Sequence, residues 1–144
     1  MQHIAIMNKS WGLTDKILTG QKTIESRWYK NRYAPWGKIK TGETVFFKNS
    51  GQPVALKAKV HKIIQIGNLT PVIVGNILNE YGARIGLSET DLPHYNELFK
   101  DKMYCLLIFL CDTQAIKPFQ INKDGYGAMS SWISVTSVRE LKKL

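Results

Sequence analysis

Apolar and polar positions alternate along this chain in short stretches, and the period changes at glycines, prolines and capping side chains. His3 to Met7 is an apolar run of strand length. Leu13, Ile17 and Leu18 then recur at helical spacing, with Ser10 or Thr14 placed to cap a helix and Gly20 placed to stop it. Thr23 to Tyr29 returns to a period of two. Ile24, Ser26 and Trp28 face one way, and Thr23, Glu25, Arg27 and Tyr29 face the other. Asn31 to Gly42, holding Pro35-Trp36-Gly37 and Thr41-Gly42, reads as a loop. Thr44 to Lys48 is a second strand, ended by Asn49-Ser50-Gly51.

Val54 to Ile66 predicts a long strand. Lys57, Lys59 and His61 share one parity with Ala55, and Ile63 breaks the alternation, which suits a curved strand in a small barrel. Thr70-Pro71 predicts a helix start, with Thr at the N-cap and Pro at the first helical position. That helix carries Val74, Ile77, Leu78 and Tyr81 and is expected to stop at Gly82. Ser88 to Lys100 predicts another, with Tyr95, Leu98 and Phe99 as its apolar stripe. Tyr104 to Asp112 is the expected central strand. Phe119 to Asn122 and Trp132 to Val135 are shorter strands either side of a Gly125-Tyr126-Gly127 loop, and Ser137 caps a short final helix. The pattern contains no repeats. It predicts one α+β domain over residues 1–144, with about five to seven strands closing as a small barrel.

Composition agrees with a globular domain: 44% of the 144 residues are hydrophobic and 22% charged. The longest apolar run, Met103 to Leu110, falls well short of the roughly 18 residues that span a bilayer. Met1-Gln2-His3 lacks the basic start of a signal peptide, so a cytoplasmic location is expected and no membrane partner. Cys105 and Cys111 are six apart on one strand, about 20 Å at a strand's rise, too far for a disulfide. Both are expected to be buried thiols. His3, His61 and His94 are scattered and no Cys-x-x-Cys is present, so neither a metal nor a cofactor is expected.

Charge changes the picture more. Between Lys22 and Lys62 stand ten Lys or Arg against Glu25 and Glu43, which places +8 of the formal +9 in 41 of the 144 residues. Charge so concentrated points to an anionic partner, and nucleic acid is the commonest. Trp28, Tyr29, Tyr33, Trp36, Phe46 and Phe47 interleave with these cations. Single-stranded RNA sites use that combination, stacking bases on rings at about 1–3 kcal/mol each.

The unit Ile17-Leu18-Thr19-Gly20-Gln21-Lys22-Thr23-Ile24-Glu25-Ser26-Arg27 resembles the signature of the ASCH domain family, a branch of the PUA-like superfamily. Ile39-Lys40-Thr41-Gly42-Glu43-Thr44-Val45-Phe46-Phe47 resembles the family's second strand. The resemblance covers residues 4 to 48 closely. It implies a pseudo-barrel with a cleft lined by the signature residues, in a superfamily associated with RNA. Some members are implicated in RNA binding and some in RNA cleavage, and one branch hydrolyses the acetyl amide of N4-acetylcytidine with a Lys, a Thr and a Glu. The Lys corresponds to Lys22. Glu25 stands where that branch has its Thr, and the register of its Glu falls on Ala83, with Glu80 nearby. The chain departs from that branch at both positions.

Glu25 and Arg27 share one strand face. Either they line a cleft, with Arg27 on a phosphate or base edge and Glu25 as acceptor or general base, or they form an ion pair that closes the barrel mouth. Lys22, at the helix-to-strand turn, is either a phosphate ligand or a buried amine of depressed pKa suited to nucleophilic or base catalysis. These three are the candidate catalytic residues of a metal-independent hydrolase. The candidate nucleic-acid contacts are Lys9, Trp11, Lys22, Arg27, Tyr33, Trp36, Lys38, Lys48, Lys57 and Lys59. An RNA-binding or nucleoside-binding domain is the leading reading. A ribonuclease or N4-acetylcytidine amidohydrolase is the alternative, and an interaction domain without nucleic acid the second.

Overall fold

Why one mixed sequence folds into a curled sheet is clearest from its longest strands. In a computed structural model, residues 1–127 and 130–143 are described, apart from the side chain of Trp11. The strands are β1 (Gln2–Met7), β2 (Ile24–Tyr29), β3 (Thr44–Asn49), β4 (Val54–Ile66), β5 (Tyr104–Phe119) and β6 (Trp132–Val135). The helices are α1 (Leu13–Leu18), α2 (Pro71–Ile85) and α3 (Leu92–Phe99), with short 3-10 turns at Lys9–Trp11, Glu89–Asp91 and Val138–Leu141. Among the described residues the strands form one sheet in the order β2-β5-β4-β3-β1-β6. β1 and β3 run parallel, and every other neighbouring pair is antiparallel.

The length of β4 and β5 would flatten the sheet without irregularities, and three register shifts bend it. One lies between Val60 and Lys62 and leaves His61 as the extra residue. The break in alternation expected near Ile63 is this bulge. Another pairs Lys57 with Gln114 and Lys59 with Cys111, beside Asp112, whose φ is 50°. The curl encloses an interior of Ala5, Met7, Val45, Phe47, Leu106 and Ile108, completed by Leu13 and Ile17 of α1. Outside, α2 and α3 pack Val74, Leu78 and Phe99 against Ile24, Trp28 and Leu107. A third cluster sets Ile4, Phe46 and Ile133 against Ile121, Val138 and Leu141 of the C-terminal segment.

Local chemistry sets most boundaries. Thr70 caps α2 by accepting from the amide of Ile73 at 3.2 Å, and Ser137 accepts from Arg139 at 3.3 Å. Four expectations need correction. α2 runs through Gly82 to Ile85 and ends at Gly86, where φ is 100°. Gly82 is a packing glycine, because a Cβ there would meet Leu92 Cδ2 at 2.9 Å. Phe119 closes β5, and Ile121 makes only an isolated bridge to Lys142, so 119–122 is no separate strand. Gly12 caps α1 in place of Ser10 or Thr14; Thr14 donates instead to Asn49 Oδ1 at 3.0 Å. Cys111 is half-buried, whereas Cys105 is buried, and both thiols are free. No helix among the described residues is long and apolar enough to cross a membrane.

Candidate functional site

The curl brings the two sheet edges, β2 and β6, within reach of one side chain. Arg27 Nη1 donates to Ser131 O at 3.3 Å and Ser131 Oγ at 3.2 Å. Its guanidinium lies 5.1 Å from the centre of the Trp132 ring. Nη2 reaches Met7 Sδ at 3.4 Å. Arg27 therefore bridges the open seam of the half-barrel. The strand alternation that put Glu25 and Arg27 on one face makes that face the interior one, in register with Ile108 and Leu106.

Behind the seam sits a buried charge cluster. Gly20 (φ 81°) turns the chain out of α1, and the Lys22 amide donates to Lys16 O at 2.9 Å. That turn aims the Lys22 side chain inward. Its Nζ donates to Ile24 O at 2.6 Å and Ile85 O at 2.8 Å, and pairs with Glu25 Oε1 at 3.1 Å. An ammonium has three protons, so these three acceptors saturate it. The other oxygen, Glu25 Oε2, accepts from Arg27 Nη2 at 2.9 Å and Nε at 3.2 Å. Burial lowers the pKa of Lys22 against the pull of Glu25. For Glu25, burial alone would push the carboxyl up, but Lys22 and Arg27 together outweigh it and hold it below its ordinary value. The carboxylate is ionised, balanced by two cations. Neighbouring Tyr29 is pushed up to about 12 by burial.

A cleft of about 350 Å³ runs along the β2 edge. Glu25 and Arg27 form its polar floor, with Asn8, Ser131 and Lys102 also among its lining. Its apolar wall is Trp28, Tyr95, Leu98 and Phe99. Trp28 stacks on Phe99 with centroids 4.5 Å apart and planes 5° from parallel, and Tyr95 leans on Phe99 at 5.9 Å. The stacked rings present one apolar wall to the cleft. A flat ring with polar edges matches this space: rings on one side, a guanidinium and hydroxyls on the other.

The remaining sequence candidates divide. Lys9 is exposed, next in the chain to cleft-lining Asn8. Tyr33 is 61% exposed and meets cleft-lining Tyr29 edge-on at 6.3 Å. Lys38 is exposed on the loop beyond Trp36. The side chain of Trp11 lies outside the described residues. Trp36 is half-buried against the barrel interior and meets Tyr104 edge-on at 5.2 Å, so packing occupies the ring offered for stacking. Lys57 and Lys59 border a separate hollow of about 130 Å³ with Asp112 and Gln114, which shares no lining residue with the cleft. Lys48 is buried on the outer face of the sheet. Neither Glu80 nor Ala83 lines the cleft. The wall residues Tyr95, Leu98 and Phe99 and the seam residue Ser131 were not singled out as site residues in the sequence. Their apolar stripe was visible, but its approach to β2 is a tertiary fact.

No family model and no curated protein matches the sequence. Solved structures do. ASCH from Zymomonas mobilis superposes with a TM-score of 0.68 at 19% identity, covering 99% of this chain and 96% of that one. A mutant form of the Zymomonas protein gives 0.68 at 18% identity over 99% of both chains. The N-terminal domain of McrB from Staphylothermus marinus gives 0.51 at 12% identity, covering 90% and 81%. The helix, the turn at Gly20 and the seam strand occur here in the order that the sequence motif implied. The chain therefore has the fold of the Zymomonas ASCH structure, an α+β small barrel.

Proposed function

We propose that this chain is an RNA-binding domain whose cleft along β2 takes a single base, either in a strand or as a modified nucleoside. The observation that carries the reading is the cleft's composition: a pre-stacked Trp28–Phe99 wall faces the Arg27 guanidinium. A base against that wall gains stacking worth about 1–3 kcal/mol, and its edge meets the Arg27 guanidinium, which gives up its 3.2–3.3 Å contacts to Ser131 to donate to a carbonyl or phosphate oxygen. The +9 net charge supplies the long-range attraction.

The charge cluster favours binding over catalysis. Lys22, saturated as an ammonium, offers no lone pair for attack. A carboxylate held below its ordinary pKa, with both oxygens engaged, is a weak general base at neutral pH. Retention is the expected outcome when the pure protein is incubated with single-stranded RNA, structured RNA and N4-acetylcytidine. The RNA or the nucleoside is held and recovered chemically unchanged. Cleavage or deacetylation that disappears in a folded Lys22→Ala variant would replace this reading with an enzymatic one.

A further inference from the structure

Backbone groups as well as side chains face the cleft. β2 is an outer strand of the sheet, and among the described residues its ladder partner is β5 alone. In an antiparallel pair, alternate residues turn both N–H and C=O toward the neighbouring strand, and the residues between them turn both away. Thr23 O accepts from Leu110 N and Tyr29 O from Met103 N, each at 2.9 Å, so Thr23, Glu25, Arg27 and Tyr29 face β5. Ile24, Ser26 and Trp28 therefore turn their backbone groups to the open edge. Lys22 bears out the direction, because its Nζ reaches Ile24 O at 2.6 Å from outside the sheet. Among the described residues, no hydrogen bond reaches the backbone N–H or C=O of Ser26 or Trp28.

Both residues line the cleft, Trp28 buried and Ser26 half-buried. Enclosed backbone groups are almost always paired in folded proteins, so two open donor–acceptor pairs beside a cleft mark where a ligand bonds. The Ser26 hydroxyl is already engaged, accepting from Trp28 Nε1 at 3.0 Å, which leaves the backbone as the polar face of this edge. The edge is short. Lys22 occupies Ile24 O and β2 ends at Tyr29, so the open pairs are two residues apart, about 7 Å. An added peptide strand would find only these two residues to pair with, and strand addition draws its affinity from a run of main-chain bonds. A flat ring with a donor beside an acceptor needs only one such pair. The Watson–Crick edge of every nucleobase is of that kind, and the ring behind it suits the Trp28–Phe99 wall.

We infer that the open edge of β2 reads the Watson–Crick edge of an unpaired nucleobase through the backbone N–H and C=O groups of Ser26 and Trp28. This rests on the proposed RNA binding and deepens it: the cleft admits a base only when no complementary strand holds that edge. The test follows the backbone amides of the native protein by NMR while the four homo-oligoribonucleotides are added in turn. With the strand held tightest, the Ser26 and Trp28 amides shift and exchange their hydrogens more slowly. The amides of Glu25 and Arg27, already bonded to β5, keep their exchange rates. Methylating the base of that strand on its Watson–Crick ring nitrogen, N3 of a pyrimidine or N1 of a purine, weakens binding about tenfold, the loss of one or two hydrogen bonds. Binding of RNA with the Ser26 and Trp28 amides unmoved, or with equal affinity for the methylated strand, overturns the inference and leaves the RNA reading in place. Shifts of those amides by an unstructured peptide and not by RNA overturn it in favour of strand addition. Failure of all four oligonucleotides to bind at low salt removes the RNA reading itself.

Discussion

Replacing Glu25 by Gln tests the buried cluster most severely. The substitution keeps the shape and removes the single negative charge between Lys22 and Arg27. Removing one partner of a buried ion pair costs about 3–5 kcal/mol, because the remaining charge is left unbalanced. Here Ile24 O and Ile85 O still hold the ammonium, and Arg27 reaches solvent at the seam, which places the loss near the low end, about 3 kcal/mol. Unfolding entropy near 2.1 cal/mol/K per residue gives about 0.3 kcal/mol/K for this chain, hence a melting temperature lower by about 10 °C. Urea denaturation and thermal melting both measure it. The deficit shrinks as pH rises toward 10.5, because the Lys22 pKa lies below that ordinary value and the unfolded chain then binds the extra proton. Lys22→Met combined with Glu25→Gln costs less than the two singles added, since the uncompensated cation is gone. A Glu25→Gln loss under about 1 kcal/mol, independent of pH, would refute the claim of a saturated buried pair.

Other consequences are simpler. Thr70→Ala removes the cap on Ile73 and costs about 1 kcal/mol by denaturation. Gly86→Ala costs about 1–2 kcal/mol, because φ is 100° there and the new methyl would crowd Lys22 Cβ at 3.3 Å. His3 is buried, with Nε2 at 2.9 Å from Glu43 Oε1 and Nδ1 at 3.2 Å from Trp132 Nε1. Burial lowers its pKa below 6.5 despite Glu43, so the unfolded chain binds the proton first and stability falls as pH drops below 6.5. His3→Gln flattens that limb of a melting-temperature profile. Below 4.5 the depressed carboxyl of Glu25 adds a second loss that His3→Gln leaves in place, whereas the Glu43 part shrinks in that variant because His3 helps to hold its pKa down.

How much of this was legible depends on how local its cause is. Strands β2, β4 and β6, the Thr70-Pro71 start and the break in alternation at Ile63 follow from neighbours in the chain. Gly82 misled because a helix-stopping glycine and a close-packed one look alike, and the difference is Leu92, ten positions further along. The burial of Lys22 was open in the motif, whereas its saturation depends on a carbonyl 63 residues away. Trp36 looked free in a Pro-Gly loop because Tyr104, which packs against it, lies on a distant strand. Charge density located the basic window but not its spread: the register shifts of β4 carry Lys57 and Lys59 to another hollow.

The proposed function places a base of single-stranded RNA in the cleft against Trp28 and Phe99, beside Arg27. Its most direct test is the affinity of the native protein and Arg27→Gln for single-stranded RNA across a salt series. A linear fall of log K with log salt is expected, at about −0.7 for each phosphate contact, with weaker binding and altered base preference in the variant. Absence of binding at low salt, or an affinity that neither salt nor Arg27→Gln changes, would contradict it.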